Sequence, residues 1–405
     1  MPIYYPRIWR GRFFYMWVIL ILVLSSVLYG LWEFRSHQYH LKLLKTRIHV
    51  NGTRGKSSVT RLITGGLRGG GHQVFAKTTG TKPRMLFVDG SEVPVLRLGK
   101  PNIIEQKKIV AEAARQKAEF FITECMGVQP RLQEILEDQF IRSHIGVITN
   151  VRSDHLDEMG PTMEHVAASL ANTIPYEGHL FTAEKNHIDI LEARAKMRHT
   201  TLHRVDCSCI GDNEMKGFCY LEHKDNVAVA LAVCQHLGVK REDAIRGMQQ
   251  ANPDPGVLRR FKIVTQSKTI EFVNAFAAND PDSYKVIWEM LKIHHEPGKV
   301  LIVLVNSRRD RIQRAEQLGE FIASDLDADY FIISGEYTHA LVSKAIACGL
   351  PHNKISDLGG RPLEAIFNSI LNLTTEKSLV LGIGNIVGFG EEIVNYFKER
   401  GTELV

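Results

Sequence analysis

Residues 49–63, H-V-N-G-T-R-G-K-S-S-V-T-R-L-I, limit what this chain can fold into more than any other stretch. From Gly52 to Ser57 it reads G-x-x-G-K-S, two residues shorter than the usual phosphate-binding loop, G-x-x-x-x-G-K-[ST]. The preceding T-R-I-H-V (46–50) predicts a strand, and S-S-V-T-R-L-I predicts a helix with Val59, Leu62, Ile63 and Leu67 on one face. At such a strand-to-helix turn, glycines permit positive φ and close backbone approach. The free N–H groups and the helix dipole attract a polyanion. Lys56 is spaced to reach β- and γ-phosphates, and the Ser57 hydroxyl to ligate Mg²⁺. Gly52, Thr53, Arg54, Gly55, Lys56, Ser57 and Ser58 are therefore candidate ATP contacts, in preference to a glycine-rich turn carrying a chance G-K-S.

A loop of this kind needs α/β surroundings, and the rest of the chain supplies them. Short apolar runs predict strands at 118–123, 144–149, 178–183, 269–276, 299–305, 329–334 and 378–384. Helical periodicity falls between them, as in E-Q-K-K-I-V-A-E-A-A-R-Q-K-A and N-V-A-V-A-L-A-V-C-Q-H-L-G. A chain of 405 residues is long for one core, and the Pro/Gly stretch A-N-P-D-P-G-V-L-R-R (251–260) is the expected boundary between two domains. The expected division is 1–35, 36–257 and 258–405.

Two further strand ends carry chemistry. F-F-I-T ends in Glu124, and G-V-I-T ends in Asn150, followed by V-R-S-D-H-L-D-E-M-G. Ligands of open α/β sheets gather beyond the carboxyl ends of strands, so Ser57, Glu124, Asn150, Asp154 and His155 are expected along one edge. Ser57, Glu124 and His155 form the candidate metal set, oxygen donors suiting Mg²⁺ and the imidazole being an unusual addition. L-G-I-G-N-I-V-G-F-G-E-E (381–392) has the wrong spacing for a dinucleotide fingerprint and reads as tight backbone packing.

From Phe13 to Trp32 the chain has no charged residue, and at 1.5 Å per residue this run spans a bilayer core of about 30 Å. Aromatics crowd both ends, and no short apolar core with a small-residue cleavage site is evident. An uncleaved anchor is expected, with an ATP-binding body on the cytoplasmic side. The net charge of +5 comes without a dense Lys/Arg run and makes no case for nucleic acid. The six cysteines show no disulfide framework, and the C-x-C of Cys207 and Cys209, with Cys219 and His203 nearby, matches no common zinc spacing.

The order G-T-x-G-K-S, strand-Glu, then T-N-x-x-x-D-H-L-D resembles the Mur-ligase superfamily of ATP-dependent amide ligases. V-N-G-T-R-G-K-S-S-V-T-R-L-I, K-T-T-G-T-K-P-R, F-F-I-T-E-C-M-G-V-Q-P, I-T-N-V-R-S-D-H-L-D-E-M-G-P-T and F-A-A-N-D-P-D-S, behind one membrane span, are similar to the ligase subunit of bacterial poly-γ-glutamate synthase. The resemblance covers nearly the whole chain. It implies a P-loop Mur-ligase central domain and a C-terminal Rossmann-like domain, behind one transmembrane helix. It also implies that Lys56 holds the ATP phosphates, that Ser57 and Glu124 hold one Mg²⁺, that Asn150 positions phosphates, and that His155 ligates a second Mg²⁺. Arg260, or its neighbour Arg259, stands where the family carries an arginine near the phosphates. Asn274 stands where many relatives place an Asp against the nucleoside. N-S-R-R-D-R-I-Q-R (306–314) matches a family loop, giving Asp310 and Arg311 a place at the reaction, against a solvated helix start as the plain alternative.

One departure is clear: no lysine occurs between His155 and Ala183, and Leu170 falls near the position where relatives carry a carbamoylated lysine. The implied reaction is ATP-dependent formation of poly-γ-glutamate, for a capsule or secreted polymer, through a γ-glutamyl phosphate. For the anionic substrate, glutamate and the growing polymer, the loop A-K-T-T-G-T-K-P-R-M offers Lys77, Thr78, Thr79, Lys82 and Arg84. Implied partners are a small multi-spanning membrane subunit and an extracytoplasmic accessory subunit, with homo-oligomerisation left open. A Mur-type ligase acting on folate or a peptidoglycan precursor, and a membrane-tethered nucleotide switch that ligates nothing, are the alternatives.

Overall fold

The computed structural model describes residues 7–404 apart from 81–82, 98, 100, 219, 221, 254–258, 266, 277–283, 286, 289–290, 292–297 and 310–311. A helix Arg7–Leu43 opens the chain, and 37 residues give it a length of about 55 Å. Its segment from Phe14 is long and apolar enough to cross a membrane, and the apolar window is not buried against protein. The last turns behave differently. Leu41 and, just past the helix end, Leu44 are buried, Glu33 pairs with Lys107, and the His37 imidazole contacts the Phe140 carbonyl oxygen at 3.0 Å. The helix thus passes without interruption from a lipid-compatible surface into the packing of the body.

The first sheet holds β1 (Thr46–Asn51), β2 (Val74–Lys77), β3 (Arg84–Leu86), β4 (Glu92–Pro94), β5 (Phe120–Glu124), β6 (Ile145–Ile148), β7 (His179–Thr182) and β8 (Thr201–Arg204). Their order is β4-β3-β2-β5-β1-β6-β7-β8, with β3 antiparallel to both neighbours and the other pairs parallel. Parallel strands covered on both faces favour continuous apolar runs, which is why β5 and β6 are buried end to end. On one face Ile48 and Val50 pack with Val59, Leu62, Ile63 and Leu67 of the helix Lys56–Gly69 and with the helices Lys224–His236 and Arg241–Gln249. The expected apolar stripe of the first helix is therefore the one buried. Phe75 and Phe121 face the other side, against the helix Glu105–Arg115.

The helices Lys56–Gly69 and Arg241–Gln249 touch almost backbone to backbone. A Cβ on Gly247 would lie 2.2 Å from the Gly65 carbonyl oxygen and 2.8 Å from Gly69 Cα. Neither atom can turn aside, so Gly247→Ala must push the helices apart. We expect it to lower stability by about 1–3 kcal/mol, read as a shift in the denaturant midpoint.

The second sheet is built from later residues: β9 (Arg259–Val264), β10 (Thr269–Asn274), β11 (Val300–Ser307), β12 (Tyr330–Gly335), β13 (Ile355–Asp357), β14 (Lys377–Gly384) and β15 (Thr402–Leu404). The order is β13-β12-β11-β14-β10-β9-β15, with β9 antiparallel to both its neighbours. One face is packed by residues such as Val303, Leu318 and Leu341, the other by Phe272, Ile366 and Phe397. Gly382 lies under the Phe272 and Phe276 rings, the tight packing anticipated for its glycine run. The expected 251–260 boundary overlaps residues 254–258, outside the described residues.

Candidate active site

The short loop joins β1 to the helix Lys56–Gly69 at the carboxyl edge of the first sheet. Its two glycines are required by shape. Gly52 has φ +132°, and an added Cβ would meet Thr149 Oγ1 at 2.0 Å; Gly55, at φ +77°, caps the helix against the Asn226 side chain. The loop is stitched to the end of β6. Asn150 Oδ1 accepts from Thr53 Oγ1 at 2.7 Å and from the Arg54 N–H at 3.1 Å, while Asn150 Nδ2 donates to the Arg54 carbonyl at 3.1 Å. Thr149 Oγ1 donates to that same carbonyl. The strand-end asparagine therefore shapes the loop from beneath. Asn150→Ala leaves these backbone groups short of partners, and we expect it to raise the KM for ATP about tenfold.

Lys56 is half-buried and folds back over the loop, its Nζ donating to the Gly52 carbonyl at 2.6 Å and the Thr53 carbonyl at 3.1 Å. These bonds bring a cation to the loop with neutral oxygens as its described partners, where it can turn to phosphate. Ser57 Oγ donates to Glu124 Oε2 at 2.8 Å, and the Thr79 N–H donates to the same oxygen at 2.6 Å. Glu124 is 2% exposed. A hydroxyl joined to a buried carboxylate at a helix start fits Mg²⁺, which takes one or two protein oxygens and keeps its other positions for water and phosphate. Ser58 follows in the first helical turn, half-buried.

His155 lies apart from that pair in its contacts. It adopts φ 45° at the start of a one-turn helix Leu156–Met159, is exposed, and has Nε2 3.9 Å from Asp154 Oδ1. Asp154 in turn pairs with Arg54 at 3.2 Å, linking the D-H-L-D segment to the loop. Leu170 is buried beside Val151, Met159 and Val166, an apolar setting that offers no substitute for a metal-assisting lysine.

The loop following β2 is arranged differently from a free cationic surface. Lys77 ends β2 wholly buried, with Nζ 2.8 Å from Glu105 Oε1, and Arg97 clamps the same carboxylate with two 2.8 Å bonds. Burial pushes the Lys77 amine below its ordinary range against the pull of Glu105. Thr78 is buried and bonded to the Arg84 backbone at both ends of the turn. Thr79 reaches Glu124 through its N–H. Arg84 opens β3, half-buried, and Lys82 lies outside the described residues.

In the second sheet Arg260 pairs with Glu271, which also holds Lys299 at 3.0 Å, and Arg259 sits 3.6 Å from Glu403. Both arginines are engaged by carboxylates of their own sheet. Asn274 is buried, its Oδ1 accepting from the Phe276 N–H at 3.2 Å. Asp310 and Arg311 lie outside the described residues, and Arg309 stacks over the Tyr337 ring at 5.1 Å.

Several neighbours of the loop have no sequence signal. Asn226 reaches Gly55 from the first turn of a helix far along the chain and is itself held by Glu222 Oε1 at 2.8 Å. Under the loop, Asn51 Nδ2 donates to Gln133 Oε1 at 2.8 Å and Thr173 Oγ1 at 3.1 Å. Both arise from packing between distant segments.

Comparison with known proteins fits this geometry. Residues 50–216 match the Mur ligase middle domain family, and residues 261–400 match the Poly-gamma-glutamate synthase CapB C-terminal domain family. Capsule biosynthesis protein CapB of Bacillus anthracis is 38% identical, over 96% of this chain and 84% of that protein. PGA synthase CapB of Bacillus subtilis (strain 168) is 36% identical, over 95% of this chain and 98% of that protein. Among solved structures, E. coli FolC in complex with ADP has a TM-score of 0.68 at 16% identity, covering 91% of this chain and 93% of that one, a likeness of fold. The chain belongs to the CapB family of poly-γ-glutamate synthases, built on a Mur-ligase-like α/β fold.

Proposed function

We propose that this chain uses ATP to join glutamate units through their γ-carboxylates, by way of a γ-glutamyl phosphate. The family makes it an ATP-dependent ligase of poly-γ-glutamate synthesis. The observation that carries the finer reading is the buried Ser57–Glu124 pair directly under the loop bearing Lys56. Ser57 and Glu124 would hold Mg²⁺, which when bound offsets the charge of the phosphates. Lys56 and the N–H groups at the start of its helix orient the γ-phosphoryl group toward the substrate carboxylate. The carboxylate oxygen attacks phosphorus as ADP leaves. The amine of a second glutamate, having lost its proton, then attacks the acyl carbon, so that phosphate leaves and an amide remains. His155 for a second cation, Asp310 and Arg311 at the reacting groups, and Thr79 and Arg84 toward the acidic substrate complete the proposed site. Arg260 and Asn274 would serve the nucleotide only on exchanging their present partners.

We assign residues 1–35 to an anchor, 36–257 to the ATP-binding body and 258–405 to the second α/β domain, with the body on the cytoplasmic face. Among the described residues one helix is long and apolar enough to cross a membrane, which gives no conduit for a polymer, so a multi-spanning membrane subunit and an extracytoplasmic subunit are the proposed partners. The test is product analysis in membranes containing this chain and those subunits, supplied with ATP, Mg²⁺ and L- or D-glutamate. Glutamate-dependent ADP release together with γ-linked polymer is expected. ATP turnover that instead required a folate or a peptidoglycan precursor would overturn the substrate assignment.

A further inference from the structure

Away from the phosphate loop, three imidazoles meet at the other end of the helix that caps it. His179 opens β7, His203 lies on β8 and His236 ends the helix Lys224–His236. In the parallel register His179 pairs with Thr201 and Phe181 with His203. Alternation along the strands puts all four on one sheet face. One nitrogen from each histidine lies within 4.8 Å of the others, and His179 Nδ1 is 3.0 Å from His203 Nε2. Nitrogens bound to one tetrahedral Zn²⁺ at 2.0–2.1 Å stand about 3.3 Å apart, so modest rotation of the rings closes the set.

We propose that His179, His203 and His236 form a three-imidazole site for a borderline divalent transition metal of the Zn²⁺ class, with the fourth position open to water.

Three features favour this over a chance cluster. The His179–His203 contact keeps one proton between two nitrogens, a place that a divalent ion can take. Phe181 stacks on the His203 ring at 4.3 Å and 7°, fixing its plane. The negative end of the helix dipole lies at His236 and favours a cation. All three ligands are imidazoles, which suit Zn²⁺ far better than Mg²⁺ or Ca²⁺. The Cys207/Cys209 pair takes no part in this cluster. Because Asn226 of the same helix lies against Gly55, an ion at His236 would pin one end of the element whose other end presses on the loop, about 15 Å away.

The full-length chain, purified in detergent without a histidine tag and stripped with chelator, should bind one equivalent of Zn²⁺. Its Co²⁺ form should show the intense visible absorption of a tetrahedral centre. His236→Ala, at an exposed position, should weaken Zn²⁺ binding about a hundredfold or more, since loss of even an indirect ligand partner costs 10–100-fold. His352→Ala, at another exposed histidine, should bind as the parent does. Failure of the parent chain to bind Zn²⁺, or equal affinity in His236→Ala, would overturn the proposal. Neither result bears on whether the ligase reaction uses the Lys56 loop.

Discussion

Lys56→Ala is expected to lower glutamate-dependent ATP turnover about a thousandfold while leaving the fold almost unchanged. The two halves of this expectation rest on different observations. Lys56 is half-buried and its described partners are the Gly52 and Thr53 carbonyls, so truncation abandons no buried charge and costs stability within about 0.5 kcal/mol. In the proposed reaction, the same amine would offset charge on the transferring phosphoryl group, where removal of one well-placed donor costs about 10²–10³ in rate. Lys56→Arg separates charge from geometry. The short loop brings Nζ to 2.6 Å from the Gly52 carbonyl, and a longer, planar guanidinium does not reproduce that compact point charge. Arginine should therefore rescue less than a tenth of the lost activity. Steady-state turnover beside thermal unfolding reads both effects, and an alanine variant that kept full synthesis would remove Lys56 from the site.

How far the sequence speaks depends on whether a residue's environment is set by its own neighbours in the chain. The eight strands expected from apolar runs all form, because a strand covered on both faces shows as a continuous apolar run. β3, β4, β13 and β15 span three residues each and carry too little pattern to be seen, and β9, R-R-F-K-I-V, is disguised by its charges. In the candidate site, the positions of Gly52, Gly55, Lys56, Ser57, Glu124 and Asn150 were legible because a strand end followed by a helix start fixes where such residues go. The arrangement of the loop proposed for the substrate was not. Lys77 reads as a loop cation, yet β2 continues through it and seals it against Glu105, a residue whose proximity only the third dimension creates. Arg260 hides its Glu271 partner in the same way, across an antiparallel pair. The three-histidine cluster joins two strands and a helix end, a spacing that no linear motif encodes.

Glu137→Ala should destabilise the chain by about 3–5 kcal/mol, the cost of removing one partner from a buried ion pair. His49 lies on β1 just before the phosphate loop. Its Nδ1 is 2.8 Å from Glu137 Oε2, with both side chains almost fully buried. The other carboxylate oxygen accepts from the Ser143 N–H at 2.8 Å and from its hydroxyl at 2.9 Å. Burial alone would push the His49 imidazole down, but Cys125 and Glu137 outweigh it and raise it to about 9. A histidine raised in the folded state binds its proton more tightly there than in the unfolded chain. Its contribution is therefore complete below the unfolded value of about 6.5 and is lost as pH climbs through about 9. Wild-type stability should fall by on the order of 3 kcal/mol across that window, and the variant should show a flatter profile. Denaturant unfolding from pH 6 to 9.5 measures both. Replacing the pair together, His49→Leu with Glu137→Leu, restores only part of the loss, because the Ser143 N–H stays without its acceptor. A wild-type profile flat over this range would mean that His49 is neutral in the fold. The strand under the phosphate loop would then be held by a neutral imidazole whose Nδ1–H donates to the ionised Glu137 carboxylate.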